Sequence, residues 1–131
     1  MREIREAIFR GKRTDNGEWI TDSETYIRDG DGIWLSDENL NVVTVIPETV
    51  GQYTGLTDKN GKRIFEGDIV SLVKHDGLIY KVVYVPCRYE LVNSKGVNCF
   101  VLDIYKSENI EVIGNIHDNP ELLGGENNGN N

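Results

Sequence analysis

Cysteine and histidine, the residue types that most often carry chemistry in proteins, are scarce in this chain. Cys87 and Cys99 lack the clustered spacing that a zinc site requires, and a disulfide between them is not implied. His75 and His117 stand apart from any nucleophile motif such as G-x-S-x-G. The sequence therefore predicts no catalytic residues, no metal site and no cofactor. Both thiols are expected to be free and buried.

Two acidic loops resemble calcium-binding loops but fail the pattern. An EF-hand loop needs oxygen ligands at its first, third and fifth positions, followed by glycine. Counted from Asp58, the fifth residue is Lys62, and counted from Asp29 it is Ile33. The segment after Asp58 is better explained as a turn at Asn60-Gly61, because this dipeptide tolerates positive φ angles.

Charge is unevenly distributed along the chain, whose net charge is −8. Residues 14–58 hold ten acidic side chains and only one basic one, Arg28, whereas residues 1–13 carry a net positive charge. A negative field repels duplex DNA, whose affinity for proteins depends on Lys and Arg at the phosphates. The acidic region is interpreted either as a solvated face or as a surface that attracts a basic partner, or mimics nucleic acid to one.

Tyrosines and basic residues lie close together in the second half of the chain. Exposed rings in a basic groove can stack the bases of single-stranded nucleic acid. In a small barrel the same rings pack against each other across strands, and this interpretation is favoured. The alternative nucleic-acid surface consists of Tyr80, Lys81, Tyr84, Arg88 and Tyr89.

The elements that must position these residues are β-strands. The chain has 13 Val and 13 Ile residues but a single Ala, and β-branched side chains fit a pleated sheet better than a helix. Alternating apolar runs separated by turn dipeptides predict strands over 69–73, 78–85, 89–92, 97–105 and 110–116. We expect a mainly β fold with little helix. A small SH3-like, partly open antiparallel barrel occupies about residues 62–118, beside an N-terminal β-rich layer or subdomain.

The chain is expected to form a single domain over residues 1–123, with a soft subdivision into 1–50 and 51–123. One continuous core is the competing interpretation. Residues 124–131 contain no hydrophobic side chain and are predicted to be a disordered tail. Asn119-Pro120 resembles a helix start. No apolar run of about 18 residues and no apolar stretch after Met1 is present, so neither a transmembrane helix nor a signal peptide is expected.

The chain contains several idiosyncratic sequence blocks: IFRGK at 8–12, VGQYTGL at 50–56, DKNGK at 58–62, IFEGDIV at 64–70, EVIGNI at 111–116 and NPELL at 119–123. In order and spacing, these blocks resemble the YopX family of small β-rich proteins encoded by bacteriophages and prophages. The resemblance spans essentially residues 4–123. It implies a phage or prophage origin and a bacterial cytoplasmic location, and it supplies no catalytic residues.

The Gly and Asp residues of the central blocks are interpreted as structural first, since these residue types satisfy turns. If a ligand groove exists, the candidates expected to be exposed around it are Tyr53, Asp58, Lys59, Glu66 and Asp68. We expect a non-enzymatic binding or adaptor module whose partner is an unknown protein or a second copy of itself. A nucleic-acid-binding module is the alternative, an enzyme is disfavoured because no nucleophile, metal or phosphate motif occurs, and no membrane partner is expected.

Overall fold

The computed structural model describes residues 7–73, 78–85, 88–93, 98–101 and 107–124. These residues form twelve strands and one single-turn helix, α1 (Glu121–Gly124), so the expectation of a mainly β protein with little helix is confirmed. No helix within this part of the chain is long and apolar enough to cross a membrane. The chain divides into two compact units, Met1–Gly55 and Leu56–Asn131. His75, Cys87 and most of the predicted tail lie outside the described residues.

The N-terminal unit contains two small antiparallel sheets. In one, β1 lies between β2 and β6, and in the other β4 lies between β3 and β5. The boundary between the two units falls within β6, whose last residues continue into the C-terminal unit. The strands are β1 (Phe9–Lys12), β2 (Trp19–Ser23), β3 (Tyr26–Asp29), β4 (Gly32–Ser36), β5 (Val42–Val45) and β6 (Gly51–Thr57).

A serine separates β2 from β3. The Ser23 hydroxyl accepts the Thr25 N–H at 3.1 Å and donates to the Thr25 carbonyl oxygen at 2.7 Å. The same oxygen accepts the backbone N–H of Ser36 at 3.0 Å. Both backbone groups of Thr25 are therefore bonded locally and do not continue the strand, so the chain turns from one sheet into the other.

The core of the N-terminal unit is a cluster of Ile20, Ile33, Leu35 and Val45. Strand β1 crosses this cluster at Gly11, where a Cβ atom would lie 3.2 Å from Val50 Cγ2 and 3.3 Å from Leu35 Cδ1. These distances are tighter than ordinary van der Waals contact. The glycine thus lets the backbone of β1 approach the core closely.

The C-terminal unit is built on a five-stranded antiparallel sheet in the order β11-β10-β9-β8-β12. Strands β8 to β11 form a meander, and β12 returns to pair with β8. The result is a curled half-barrel, which confirms the expected small barrel-like fold. The strands are β7 (Arg63–Phe65), which is the neighbour of β6, then β8 (Asp68–Leu72), β9 (Leu78–Val85), β10 (Arg88–Val92), β11 (Asn98–Val101) and β12 (Ile110–Asn115).

Alternating residues of this sheet form the core of the C-terminal unit. Val70 pairs with Tyr80, and Val82 pairs with Leu91, on one face. The whole cluster consists of Ile64, Val70, Leu72, Tyr80, Val82, Tyr89, Leu91 and Ile110. The period-two pattern that predicted these strands is the pattern of burial in the sheet.

The loop between β6 and β7 covers the outer edge of β12. Asp58 Oδ1 accepts the N–H groups of Asn60 and Lys62, both at 2.9 Å, and Oδ2 accepts the N–H of Val112 at 3.0 Å. The N–H of Lys59 donates to the Ile110 carbonyl oxygen at 2.9 Å. The loop thereby occupies backbone groups of β12 that would otherwise be open to another strand.

Asp58 is only 3% exposed, yet the pKa of its carboxyl lies below the usual range of an aspartate. Burial alone would raise the pKa, and it is the largest single influence. The N–H groups of Val112, Lys62 and Asn60 together outweigh it, because they favour the charged form. Ionised Asp58 is therefore a source of folding stability.

We expect Asp58→Ala to lower the free energy of unfolding by on the order of 3 kcal/mol, because three N–H groups lose their acceptor. Because the pKa is lower in the folded state, this stabilisation is present above the unfolded pKa and is lost as pH falls through the folded pKa. The difference between wild type and variant should shrink below about pH 4. Urea denaturation across a pH series measures both effects.

The matched control is Lys59→Ala in the same loop. Lys59 Nζ lies 3.7 Å from Glu111 Oε1, and both side chains are exposed. Exposed ion pairs contribute less than about 1 kcal/mol, so this variant should remain close to wild type. Equal losses for the two variants would contradict the role assigned to the Asp58 carboxylate.

Candidate functional site

The five candidates predicted from the central blocks are divided between the two units. Tyr53 lies in β6 of the N-terminal unit, and the other four residues lie in the C-terminal unit. Tyr53, Asp58 and Asp68 are buried, so the expectation that they are exposed is wrong. Their burial agrees with the structural role that was the first interpretation of this region.

Asp68 is used by the turn between β7 and β8. Its Oδ2 atom accepts the Phe65 N–H at 2.8 Å. At Gly67, where φ is +93°, the N–H donates to the Val82 carbonyl oxygen and the carbonyl oxygen accepts the Ile116 N–H, both at 2.9 Å. The turn is therefore bonded to β9 and to the chain after β12, and Asp68 is a structural residue.

Lys59 and Glu66 remain accessible to solvent, at separate turns. Lys59 is exposed beside Glu111. Glu66 is half-buried in the turn between β7 and β8, and desolvation by burial raises the pKa of its carboxyl.

The alternative nucleic-acid surface requires three exposed tyrosine rings, and this expectation is wrong for two of them. Tyr80 and Tyr89 are buried in the core with Val82, and rings in that position cannot stack bases. Tyr84 is half-exposed, with its ring centroid 5.1 Å from that of Tyr89 in an edge-on arrangement. Strand alternation places Lys81, half-buried, on the opposite face of the sheet, and the side chain of Arg88 lies outside the described residues.

A groove in the N-terminal unit was missed by the sequence analysis. Its volume is about 240 Å³, and it lies beside β2 and the loop that joins β4 to β5. Trp19 and Ile20 of β2 supply apolar surface, and the lining also includes Arg13, Glu18, Asp37 and Glu38. All of these residues belong to one unit, so a single compact fold builds the groove.

The indole of Trp19 is held by two cations of β1. Lys12 is its cross-strand partner, with Nζ 5.5 Å from the ring centroid, and Arg10 Cζ lies 5.0 Å from the same centroid. Both distances allow cation–π attraction, which fixes the ring and covers part of its surface. The two cations thus hold the ring of this groove residue in place.

The basic residue in the groove is neutralised by its neighbour. Arg13 Nε and Nη2 donate to Asp15 Oδ1 and Oδ2, both at 2.9 Å. This bidentate pair raises the pKa of Arg13 and lowers the pKa of Asp15. Glu18, Asp37 and Glu38 then leave the groove with a net negative charge.

Asp37 organises the loop over residues 37–41. Its Oδ1 atom accepts the N–H groups of Asn41 at 2.8 Å and Asn39 at 2.9 Å, and its own N–H donates to the Asn41 carbonyl oxygen at 2.8 Å. The Asn41 N–H is the main reason that the pKa of Asp37 is lowered. These bonds hold the loop in one conformation.

Leu40 stands at the tip of this loop and is 81% exposed. Its φ angle is +66°, in the left-handed region, which costs a residue with a Cβ about 1–2 kcal/mol. A strained backbone and an exposed large hydrophobic side chain are both unfavourable for the isolated fold. The loop thus presents the Leu40 side chain to solvent. The sequence feature that could have indicated this exposed position is a single leucine between two asparagines.

The fold and the groove define a small, all-β protein with two compact units. The family model for the YopX protein matches residues 8–124, and the chain belongs to the YopX family. A crystal structure of protein EF1440 from Enterococcus faecalis is similar, with a TM-score of 0.60 and 27% sequence identity. The match covers 92% of this chain and 99% of that chain. No curated protein matched the chain in sequence.

We expect Tyr80→Ala and Tyr89→Ala each to lower the free energy of unfolding by about 3–5 kcal/mol, because each leaves a cavity in the core. Tyr84→Ala removes a half-exposed ring and one edge-on contact, and should cost no more than about 1.5 kcal/mol. Chemical denaturation measures all three. A stable, fully folded Tyr89→Ala protein would contradict the placement of this ring.

Leu40→Gly is expected to leave the free energy of unfolding unchanged or to raise it by up to about 1 kcal/mol. Glycine removes the left-handed strain, and its larger entropy in the unfolded chain offsets part of the gain. Thermal or urea denaturation measures the change. A loss of more than about 1 kcal/mol would show that the side chain supports the fold, and would contradict an outward role.

Proposed function

We propose that this protein is a non-enzymatic binding module of phage or prophage origin, acting inside the bacterial cell as an adaptor. In this proposal the groove of the N-terminal unit, together with Leu40, holds a basic, partly apolar segment of another protein. The observation that carries the proposal is Leu40, exposed in a strained but firmly bonded loop in which the three preceding residues, 37–39, line the groove.

The size of the groove favours a protein segment over a small-molecule substrate. Small-molecule sites usually enclose about 300–1,000 Å³ and bury most of the ligand. This groove is smaller, at about 240 Å³, which is room for one or two side chains. A segment lying across it would place one side chain against Trp19 and another against Leu40. Anchors of this kind supply most of the energy of protein interfaces.

The charge of the groove favours a basic segment. Glu18 and Glu38 are exposed acidic side chains of the lining, whereas Arg13 is paired with Asp15 and Asp37 holds loop N–H groups. Complementary charge increases association rates and suppresses wrong partners. A Lys or Arg beside an apolar residue is the chemistry that this surface would accept.

The non-enzymatic part of the proposal is supported by how the ionisable groups of the groove are used. Arg13, Asp15 and Asp37 are engaged in bonds that maintain the local fold. Among the residues that the structure describes, no three His, Cys, Asp or Glu side chains are grouped so that they could hold a metal ion. The family assignment supports the phage or prophage origin.

The test is fluorescence anisotropy with labelled 12-residue peptides. An Arg/Leu peptide should bind, whereas a Glu/Leu peptide and an Arg/Ser peptide of equal length should not. Glu18→Lys combined with Glu38→Lys is expected to weaken binding by about tenfold or more, with reduced salt dependence. Leu40→Gly should weaken it by a similar factor while the fold stays intact.

Glu48→Lys is the matched control, because Glu48 is exposed in the same unit and does not line the groove. It should change affinity by less than about twofold. Equal binding of the three peptides would contradict the proposal. Tighter binding of a labelled oligothymidylate than of the Arg/Leu peptide would instead favour the nucleic-acid alternative.

A further inference from the structure

Strand β3 (Tyr26–Asp29) is an edge strand of its sheet. In the described residues no strand lies beyond it in the sheet β3-β4-β5, and all four of its side chains are exposed. The opposite edge, β5, is bonded to the chain near β1: the Thr14 N–H donates to the Thr44 carbonyl oxygen at 3.1 Å. Open edges recruit other strands, so β3 is a place where pairing can occur.

The outer face of this sheet carries an apolar strip that reaches the open edge. Ile27 pairs with Trp34, which pairs with Thr44, so the three side chains lie in a row across the strands. The indole of Trp34 lies over Gly32, where a Cβ would be 2.7 Å from Trp34 Cη2. Ile27 ends the strip at the edge and is 45% exposed.

The inner face of β3 carries an aromatic ring and a cation. The ring of Tyr26 packs on Phe9 with 4.8 Å between centroids and remains partly exposed, and Arg28 is exposed two residues further along the strand. An arginine facing a tyrosine ring across a strand pair gains cation–π attraction. One β3 strand therefore carries both halves of this contact.

We propose that two copies of this chain associate through their β3 strands, antiparallel, with a two-fold axis at Ile27. In this arrangement Ile27 faces Ile27 of the second copy on the outer face. On the inner face Tyr26 faces Arg28 of the second copy, and the symmetry produces this contact twice. The two three-stranded sheets become one six-stranded sheet with a continuous apolar strip.

The side chains select this register over its neighbours. Paired residues share a face, so a two-fold axis perpendicular to the sheet must pass through a residue position. An axis at Arg28 sets two arginines opposite each other, which is destabilising. An axis at Tyr26 sets Ile27 opposite Thr25, inside the paired stretch, although the N–H and carbonyl oxygen of Thr25 are already bonded to Ser23. The axis at Ile27 gives two favourable contacts, keeps the arginines apart and moves Thr25 to the end of the paired stretch.

The contact is short, so we expect a weak, concentration-dependent dimer. Four-residue strands bury less surface than the roughly 1,600 Å² of a standard interface, which places the dissociation constant in the micromolar range or weaker. The association uses a different surface from the groove and is independent of the proposed peptide binding.

Analytical ultracentrifugation of the full chain from about 1 μM to 1 mM tests the proposal. The wild type should shift from monomer to dimer over this range. Ile27→Lys places two cations opposite each other and should raise the dissociation constant at least about tenfold. Val42→Lys is the matched control, because Val42 is 52% exposed on the same face but lies in β5. It should dimerise like the wild type.

Oxidative cross-linking tests the register. Directly paired residues place their Cβ atoms about 4.5–5.5 Å apart, which is close enough for a disulfide after small adjustments. Ile27→Cys should therefore form a covalent dimer many times faster than Val42→Cys or the wild type. A wild type that stays monomeric to 1 mM overturns the proposal. So does equal dissociation by the two Lys variants, or equal cross-linking of the two Cys variants.

Discussion

The C-terminal unit depends on one buried carboxylate. Asp58 accepts three backbone N–H groups, two from its own loop and one from β12, fifty-four residues later in the chain. A buried carboxylate is tolerated only where such donors compensate for lost hydration. The same atoms fix the turn between β6 and β7 and cover the free edge of β12. The hydrogen bonds of one carboxylate therefore both form the turn and cover the edge of the half-barrel.

An aspartate with the same bonding pattern has the opposite consequence in the N-terminal unit. Asp37 accepts the N–H groups of Asn39 and Asn41, but it is half-buried and its loop lines the groove. Its bonds instead hold Leu40 in a conformation that a leucine rarely adopts. The Asp58 carboxylate covers the edge of β12, whereas the Asp37 carboxylate holds a loop that exposes Leu40. The difference lies in what surrounds each loop, not in the loop itself.

The strands of the C-terminal unit were predictable because burial follows the sequence with a period of two, as Tyr80 and Val82 show. The turn at Asn60-Gly61 was also predictable, because this dipeptide tolerates positive φ angles. The burial of Asp58 was not, because its third bond comes from Val112 across a long stretch of sequence. The break between β2 and β3 was not predictable either, because the Ser23 hydroxyl that makes it is also bonded to β4. The groove was missed because β2 and the loop 37–41 are brought together only by tertiary packing.

The return of β12 to β8 sets the order in which this protein can fold during synthesis. The partners of β1 to β5 lie within the first part of the chain, so the N-terminal unit can form while the ribosome is still translating the remainder. The half-barrel must wait for β12, since the first and last strands of its sheet meet at the β8–β12 pair. This long-range closure raises the contact order of the C-terminal unit, which slows folding relative to structures built from local contacts. Until β12 arrives, one side of β8 is open, and this interval is when a nascent chain is most exposed to mispairing.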